Sequence, residues 1–194
     1  MEYSTKRETH IAESHLAALY EVSSVLTNSL DYKQSVSKVL QVLHDKAMLQ
    51  HAMLALMEEN EQMLTIDTVH SPKLEGSNMP NNVRYRAGEG IVGTVLSQKQ
   101  PIVLSKVSND LRFADKLDLY ALDLPFIAVP IKKNAEVLGV LAAQPLLDDP
   151  SKLPLFTRFL EMTANLIAKS VLLAKDVAVQ TDQLQAERDR LRRK

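Results

Sequence analysis

Glycine and proline are confined to the middle of this chain. All eight prolines and all five glycines of its 194 residues lie between Pro72 and Pro154. Both residues end helices, proline by removing an N–H donor and glycine by its conformational freedom. Long helices are therefore expected at the two ends, with turns and short elements between them.

The local patterns agree with that division. Leu16, Leu19, Val22 and Leu26 recur at spacings of three and four and predict a first helix. Asp31 with Gln34 forms a capping box for a second helix, whose apolar face is Val36, Val39, Leu43 and Ala47. Then the period changes. HAMLALME and QMLTIDTVH, flanking the polar EENE, predict two paired strands, and SPKLEGSNMPNN at 71–82 reads as a loop. A strand at 82–87, a helix at about 90–98 and a strand at 101–105 follow. A helical patch, DLRFADKLDLY, comes next. PFIAVPI at 125–131 and VLGVLAAQ at 137–144 predict a hairpin, with Pro130 at an edge or bulge because it cannot donate to a ladder. Six short strands with helices segregated to the ends give an α+β fold: a mainly antiparallel six-stranded sheet, helices on one face and a long C-terminal helix.

That last helix, Leu155 to Lys194, would extend ~60 Å, beyond the width of a small domain. A seven-residue register puts Phe156, Thr163, Ser170, Val177, Leu184 and Leu191 on one stripe, beside Phe159, Leu166 and Leu173. This is a coiled-coil seam, interrupted by Gln180 and Glu187, and its simplest partner is a second copy, hence a homodimer. The expected division is a domain at 1–172 and a linker helix at 173–194, truncated inside RDRLRRK before a further domain.

Composition removes several function classes. Hydrophobic content of 45%, charged content of 24% and a net charge of -1 are those of an ordinary globule without general affinity for nucleic acid or anionic membrane. No apolar run reaches membrane-spanning length and MEYSTKRETH lacks a signal-peptide core, so the expected site is cytoplasmic, with no membrane partner. The absence of cysteine removes disulfides, thiolate metal sites and cysteine nucleophiles. His44 and His51 have no third ligand placed by spacing, so no metal is expected. Asp148-Asp149 reads as helix-start chemistry, not as a catalytic pair.

Gly88, Gly90 and Gly93 have the spacing G-x-G-x-x-G. A dinucleotide fingerprint needs a buried strand before it and an acid at the end of a second buried strand. Here NNVRYRA alternates apolar and cationic residues, and Asp110 lies in the polar run SNDLRFADK. The glycines are instead expected to make a tight strand-to-helix reversal, with Gly93 letting the helix approach the sheet.

The wording of four stretches resembles the GAF domain family, and specifically the N-terminal regulatory domain of NifA-type nitrogen-fixation activators. They are VRYRAGEGIVGTVLSQKQPIVL (83–104), RFADKLDLYALDLPFIAVPI (112–131), LGVLAAQP (138–145) and TRFLEMTANLIA (157–168). The resemblance implies a non-enzymatic sensor with no cofactor, which binds 2-oxoglutarate and responds to a flavoprotein anti-activator of NifL type. It also implies a downstream AAA+ ATPase and a helix-turn-helix. Contact with sigma-54 RNA polymerase and DNA would come only through those absent domains. A dianion needs cationic donors. Arg84 and Arg86 share one strand face opposite Val83 and Tyr85, and Arg112 and Lys116 lie in the patch expected to cover it. Phe113 and Phe126 are candidates to line the cavity. The plain alternatives are a solvated strand face for the arginines and core packing for the rings. Two other functions stay open: a dimerisation and docking module without ligand, or a cyclic-nucleotide-binding GAF domain.

Overall fold

A computed structural model describes residues 2–29, 31–58, 62–74, 82–147 and 149–192, with side chains from Arg7 onward. The order is α1 (Glu2–Asn28), α2 (Tyr32–Ala47), β1 (Leu49–Met57), β2 (Met63–His70), β3 (Arg84–Arg86), α3 (Gly90–Gln98), β4 (Ile102–Leu104), β5 (Phe126–Lys133), β6 (Glu136–Pro145) and α4 (Leu153–Arg192). The six strands form one sheet in the order β3-β2-β1-β6-β5-β4, with every pairing antiparallel. Residues 75–81 of the expected loop, 59–61 of the expected turn, Asp148 and the last two residues lie outside the described residues.

Strand alternation divides the core in two. Leu54, Ile127, Val129, Leu138, Leu141 and Ala143 face α1, α2 and α4. Met53, Ala55, Phe126, Ala128, Val140 and Ala142 face the other way, toward α3 and the long connection between β4 and β5. The three long helices thus share one face, as their positions in the chain predict, while the short α3 lies on the other. Helices α2 and α4 lie directly on the sheet, and α1 packs across them.

Several local expectations are corrected. Leu16 is 70% exposed, and the buried stripe of α1 is Ile11, His15, Ala18 and Val22. The His15 ring takes the inner position by stacking on Phe159 at 4.3 Å and meeting Phe156 edge-on at 4.7 Å. Residues 110–120 do not form a helix. The Asp115 carboxylate accepts from the N–H groups of Leu117, Leu119 and Tyr120, and Asp118 takes a left-handed φ of 53°, so the backbone bonds to a side chain instead of to itself. Only half of the capping box forms. Asp31 accepts from Gln34 N at 3.0 Å, but Asp31 N donates to Ser29 Oγ. Pro130 sits where β4 has already ended, since β4 covers only Phe126–Ala128, and just before the register shift at Ile131/Lys132.

The reversal from β3 into α3 is where the glycines act. Gly88 and Gly90 have φ of +81° and +62°. Gly93 brings α3 against the end of β3: a Cβ there would lie 2.0 Å from the Arg86 carbonyl oxygen. Gly93→Ala must push helix and strand apart, a loss of about 1–3 kcal/mol in urea denaturation of the whole chain; an unchanged midpoint would contradict this packing.

Candidate functional site

Strand β3 sorts its side chains by alternation. Tyr85 points inward and is buried, while Arg84 and Arg86 point out. Arg84, Arg86 and Lys116 meet around Ala87, Gly88 and Glu89 at an open depression of about 670 Å³. Three of the predicted cations are therefore brought together.

Three of the four predicted cations, Arg84, Lys116 and Arg112, have an acid beside them. Arg84 Nε lies 2.9 Å from Glu58 Oε1, and Lys116 Nζ lies 2.5 Å from Glu89 Oε1. Lys116 also donates to the Arg84 carbonyl and sits 4.8 Å from the Tyr85 ring centre. Glu89 closes the reversal by accepting from Arg86 N at 2.8 Å. That backbone bond, then Lys116 and Arg86, hold its carboxyl below the usual range. Arg112 is not part of the depression's lining. Its guanidinium forks onto Asp110, Nε to Oδ1 at 3.0 Å and Nη2 to Oδ2 at 2.6 Å, which holds Asp110 near 2.

Phe126 is buried and Phe113 half-buried, and neither lines this depression. With Tyr120 they form a trio of mutually edge-on rings at centroid distances of 4.8, 5.0 and 5.6 Å. Tyr120 and Phe126 belong to the same buried cluster as Ala55, Ala128 and Ala142, and the half-buried Phe113 packs against it. Small residues on the central strands leave depth that Phe113 and Tyr120 from the β4–β5 connection and Phe126 at the start of β5 fill.

That connection, residues 105–125, is a strap over the sheet, and the polar groups that hold it are ones the sequence reading did not single out. Gln144 is fully buried on β6. Its Oε1 accepts from Ala121 N at 2.9 Å, and its Nε2 donates to Ala121 O at 2.9 Å and Pro125 O at 3.1 Å. Tyr85 Oη donates to Ala114 O and Lys73 Nζ to Leu119 O. At the inner end His51, with φ of 51°, shares a 2.6 Å hydrogen bond with Ser71 Oγ and meets Tyr120 edge-on at 6.2 Å. The Tyr120 hydroxyl is buried and has no hydrogen-bond partner among the described residues. A lone glutamine in the apolar run VLGVLAAQ was the signal for Gln144; nothing local marks Tyr120 or His51.

Two outcomes follow from this geometry. Gln144→Leu strands two strap carbonyls and one N–H, lowering unfolding free energy by about 3 kcal/mol and exposing 105–125 to proteolysis before the rest. Burial, then the Lys73 charge, lowers His51 to about 4, and burial lowers His15 as well. The unfolded chain takes up these protons near 6.5, so stability is complete above that pH and falls as pH drops toward 4. Urea titrations from about pH 7 to about pH 5 should show the decline, and His51→Gln should flatten it.

No helix among the described residues is long and apolar enough to cross a membrane, and no group of three metal-binding side chains occurs among them. Residues 31–171 match the GAF domain family. The Nif-specific regulatory protein of Klebsiella oxytoca is 43% identical over 159 residues, 80% of this chain and 30% of that protein. The Azotobacter vinelandii protein of the same name is 38% identical over 179 residues, 92% of this chain and 34% of its own length. The chain therefore spans about a third of these relatives. Among solved structures, the nlh2 GAF domain of A. aeolicus in an inactive state superposes with TM-score 0.75 at 26% identity, over 84% of this chain and 99% of that one. A free methionine-R-sulfoxide reductase of Neisseria meningitidis, at 16% identity and TM-score 0.68 over 86% of this chain and 93% of its own, shares the fold alone. With this sheet order, this strap and this family match, the chain belongs to the GAF domain family, and its sequence is similar to about a third of the length of these Nif-specific regulatory proteins.

Proposed function

We propose that this chain is the sensory module of a nitrogen-fixation transcriptional activator, and that it binds a small dicarboxylate, with 2-oxoglutarate as the expected ligand, between the sheet and the strap. The observation that carries this reading is the strap itself. It is an irregular segment held over small side chains by side-chain hydrogen bonds, and it buries a Tyr120 hydroxyl that has no partner among the described residues. A buried hydroxyl without a partner is costly, and a ligand oxygen would relieve that cost. Movement of the ring trio would open the space, and Lys116, Arg84 and Arg86 stand where an anion would enter. To be received there, a carboxylate must compete with Glu89 for Lys116.

The strap is also tied to the output helix. Gln144 holds Ala121 and Pro125, and the chain runs from Gln144 through Pro145 into α4. A ligand that favours one strap position biases α4 only by its differential affinity for the two states. In the proposed context α4 carries that bias to a downstream ATPase, and an anti-activator flavoprotein reads or opposes it. The second reading is a docking module whose space under the strap stays closed. The matched ion pairs Arg84–Glu58, Lys116–Glu89 and Arg112–Asp110 are the observation that favours it.

Thermal shift and calorimetry separate the two. A true ligand stabilises the chain by ~2.7 kcal/mol at 100 times its dissociation constant. We expect 2-oxoglutarate to do so, the Arg84→Gln/Arg86→Gln pair to weaken binding about tenfold or more, and Arg112→Gln to leave it unchanged. A panel of dicarboxylates and cyclic nucleotides without any response would establish the docking reading; a response to cyclic nucleotides alone would replace the ligand class.

A further inference from the structure

A small hollow of about 130 Å³ lies where α1, the end of α2 and the β6–α4 junction meet. Backbone stitches its walls together. Leu146 N donates to Met48 O at 2.8 Å, and Met48 closes α2 with a left-handed φ of 54°. Ile11, Met48, Leu146 and Leu147 supply an apolar floor, while Arg7, His10 and Lys152 bring N–H donors to the same space. None of these residues belongs to the strap or to the depression beside Glu89.

Lys152 is the residue that asks for an explanation. It is only 6% exposed, and lysine is almost never buried unless paired. Its ammonium pairs with Glu8 on α1. A latch between α1 and the start of α4 would need that pair alone. The hollow holds more than a latch requires. Glu8 is not part of its lining, and Arg7 and His10 reach it without a side-chain hydrogen bond or close ion pair among the described residues. The acid that does line it, Asp149, is already engaged, since it accepts from Ser151 N at 3.0 Å as the cap of the turn Pro150–Lys152. Bonds from Ser151, then the charges of Lys152 and Arg7, hold that carboxyl below its usual range. The N–H donors of Arg7 and His10 are thus left to solvent or to a ligand.

We infer that this hollow binds a small aliphatic monocarboxylate, with its carboxylate against Arg7, His10 and Lys152 and its alkyl part on the apolar floor. An arginine fork meets a carboxylate with two parallel hydrogen bonds, and a lysine adds a point charge. Ile11, Met48, Leu146 and Leu147 favour a carbon chain, which a bare inorganic anion lacks. Volume sets the length. A cavity of about 150 Å³ holds benzene, so about 130 Å³ suits an acid the size of propionate or butyrate, and the larger 2-oxoglutarate dianion does not fit within it. Position gives such a ligand an effect. It bridges α1 to the segment joining β6 to α4, just beyond Gln144, and so favours the packing in which both helices are seated. This inference does not depend on which ligand, if any, the strap receives.

Methionine methyl groups read the site directly, because Met48 lines the hollow and Met53 lies on the strap side of the sheet. Carbon-13 methyl spectra of the whole chain, titrated with sodium butyrate, should move Met48 and leave Met53 in place. Sodium chloride at equal ionic strength should move neither. Arg7→Gln should weaken the response about tenfold, and His10→Gln by a smaller factor. Both side chains stand outside the Lys152–Glu8 pair, so an unchanged melting temperature serves as their folding control. Lys152 is kept intact, because removing one partner of a buried pair is destabilising in itself. A Met48 methyl that stays still at about 50 mM butyrate overturns the proposal, as does a response that Arg7→Gln leaves at full strength. Inorganic phosphate moving Met48 as far as butyrate overturns the aliphatic ligand class. Movement of Met53 instead of Met48 puts the acid under the strap and overturns the site.

Discussion

One buried side chain holds the strap face of this molecule in place. Gln144 projects from the central strand β6, wholly out of solvent, and spends its amide on the backbone of Ala121 and Pro125. Without it the strap has few anchors to the central sheet, because residues 105–125 contain only one turn of 3-10 helix and their backbone hydrogen bonds close turns within the strap instead of pairing with a strand. An apolar residue at 144 would pack as well but could not fix the strap's position. Polar groups buried at such a point give specificity of placement, and a loss of any partner is felt in full because water cannot replace it.

Around that anchor, the two sheet faces carry different work. The helical face is a continuous apolar core from Ile11 to Val171, with α2 and α4 on the sheet and α1 over them. The other face mixes alanines, three interlocked rings and a cluster of polar groups at His51, Ser71 and Tyr120. Buried polar atoms without a partner among the described residues occur on both faces, Tyr120 Oη under the strap and His15 Nε2, Tyr32 Oη and His44 Nδ1 on α1 and α2, so what separates the faces is regular structure: long helices on one, an irregular strap on the other. The surface charges fit this division. Two of the three cations at the mouth, Arg84 and Lys116, are already paired with Glu58 and Glu89, so an anion arriving there would have to exchange partners.

Much of the architecture was legible in the sequence, and for a physical reason. Helix breakers, strand alternation and cap residues act locally, so the six strands, the long helices and the Asp31 cap could be read directly. Gly93 was legible in kind, since close approach excludes a side chain whatever the fold. What failed was decided at a distance. Leu16 looked like core because α1 fits its own period, but His15 won the inner place through rings on α4. The run 110–120 looked helical until Asp115 took its amides. Of the site residues, Arg84, Arg86 and Lys116 do converge, whereas Arg112 turned to a neighbour two residues away and Phe113 and Phe126 went into the ring trio. No periodicity announces a pairing of that kind.

The central claim is that the strap is the adaptable element and that a small dicarboxylate acts through it. Amide hydrogen exchange on the whole chain, with and without saturating 2-oxoglutarate, tests this most directly, because local opening is what the strap's sparse hydrogen bonding predicts. The account requires slowed exchange centred on residues 114–125, with a smaller change reaching the first turns of α4 and none in α2. Exchange that is already as slow in the strap as in β1, or that stays the same when ligand is bound, would contradict it.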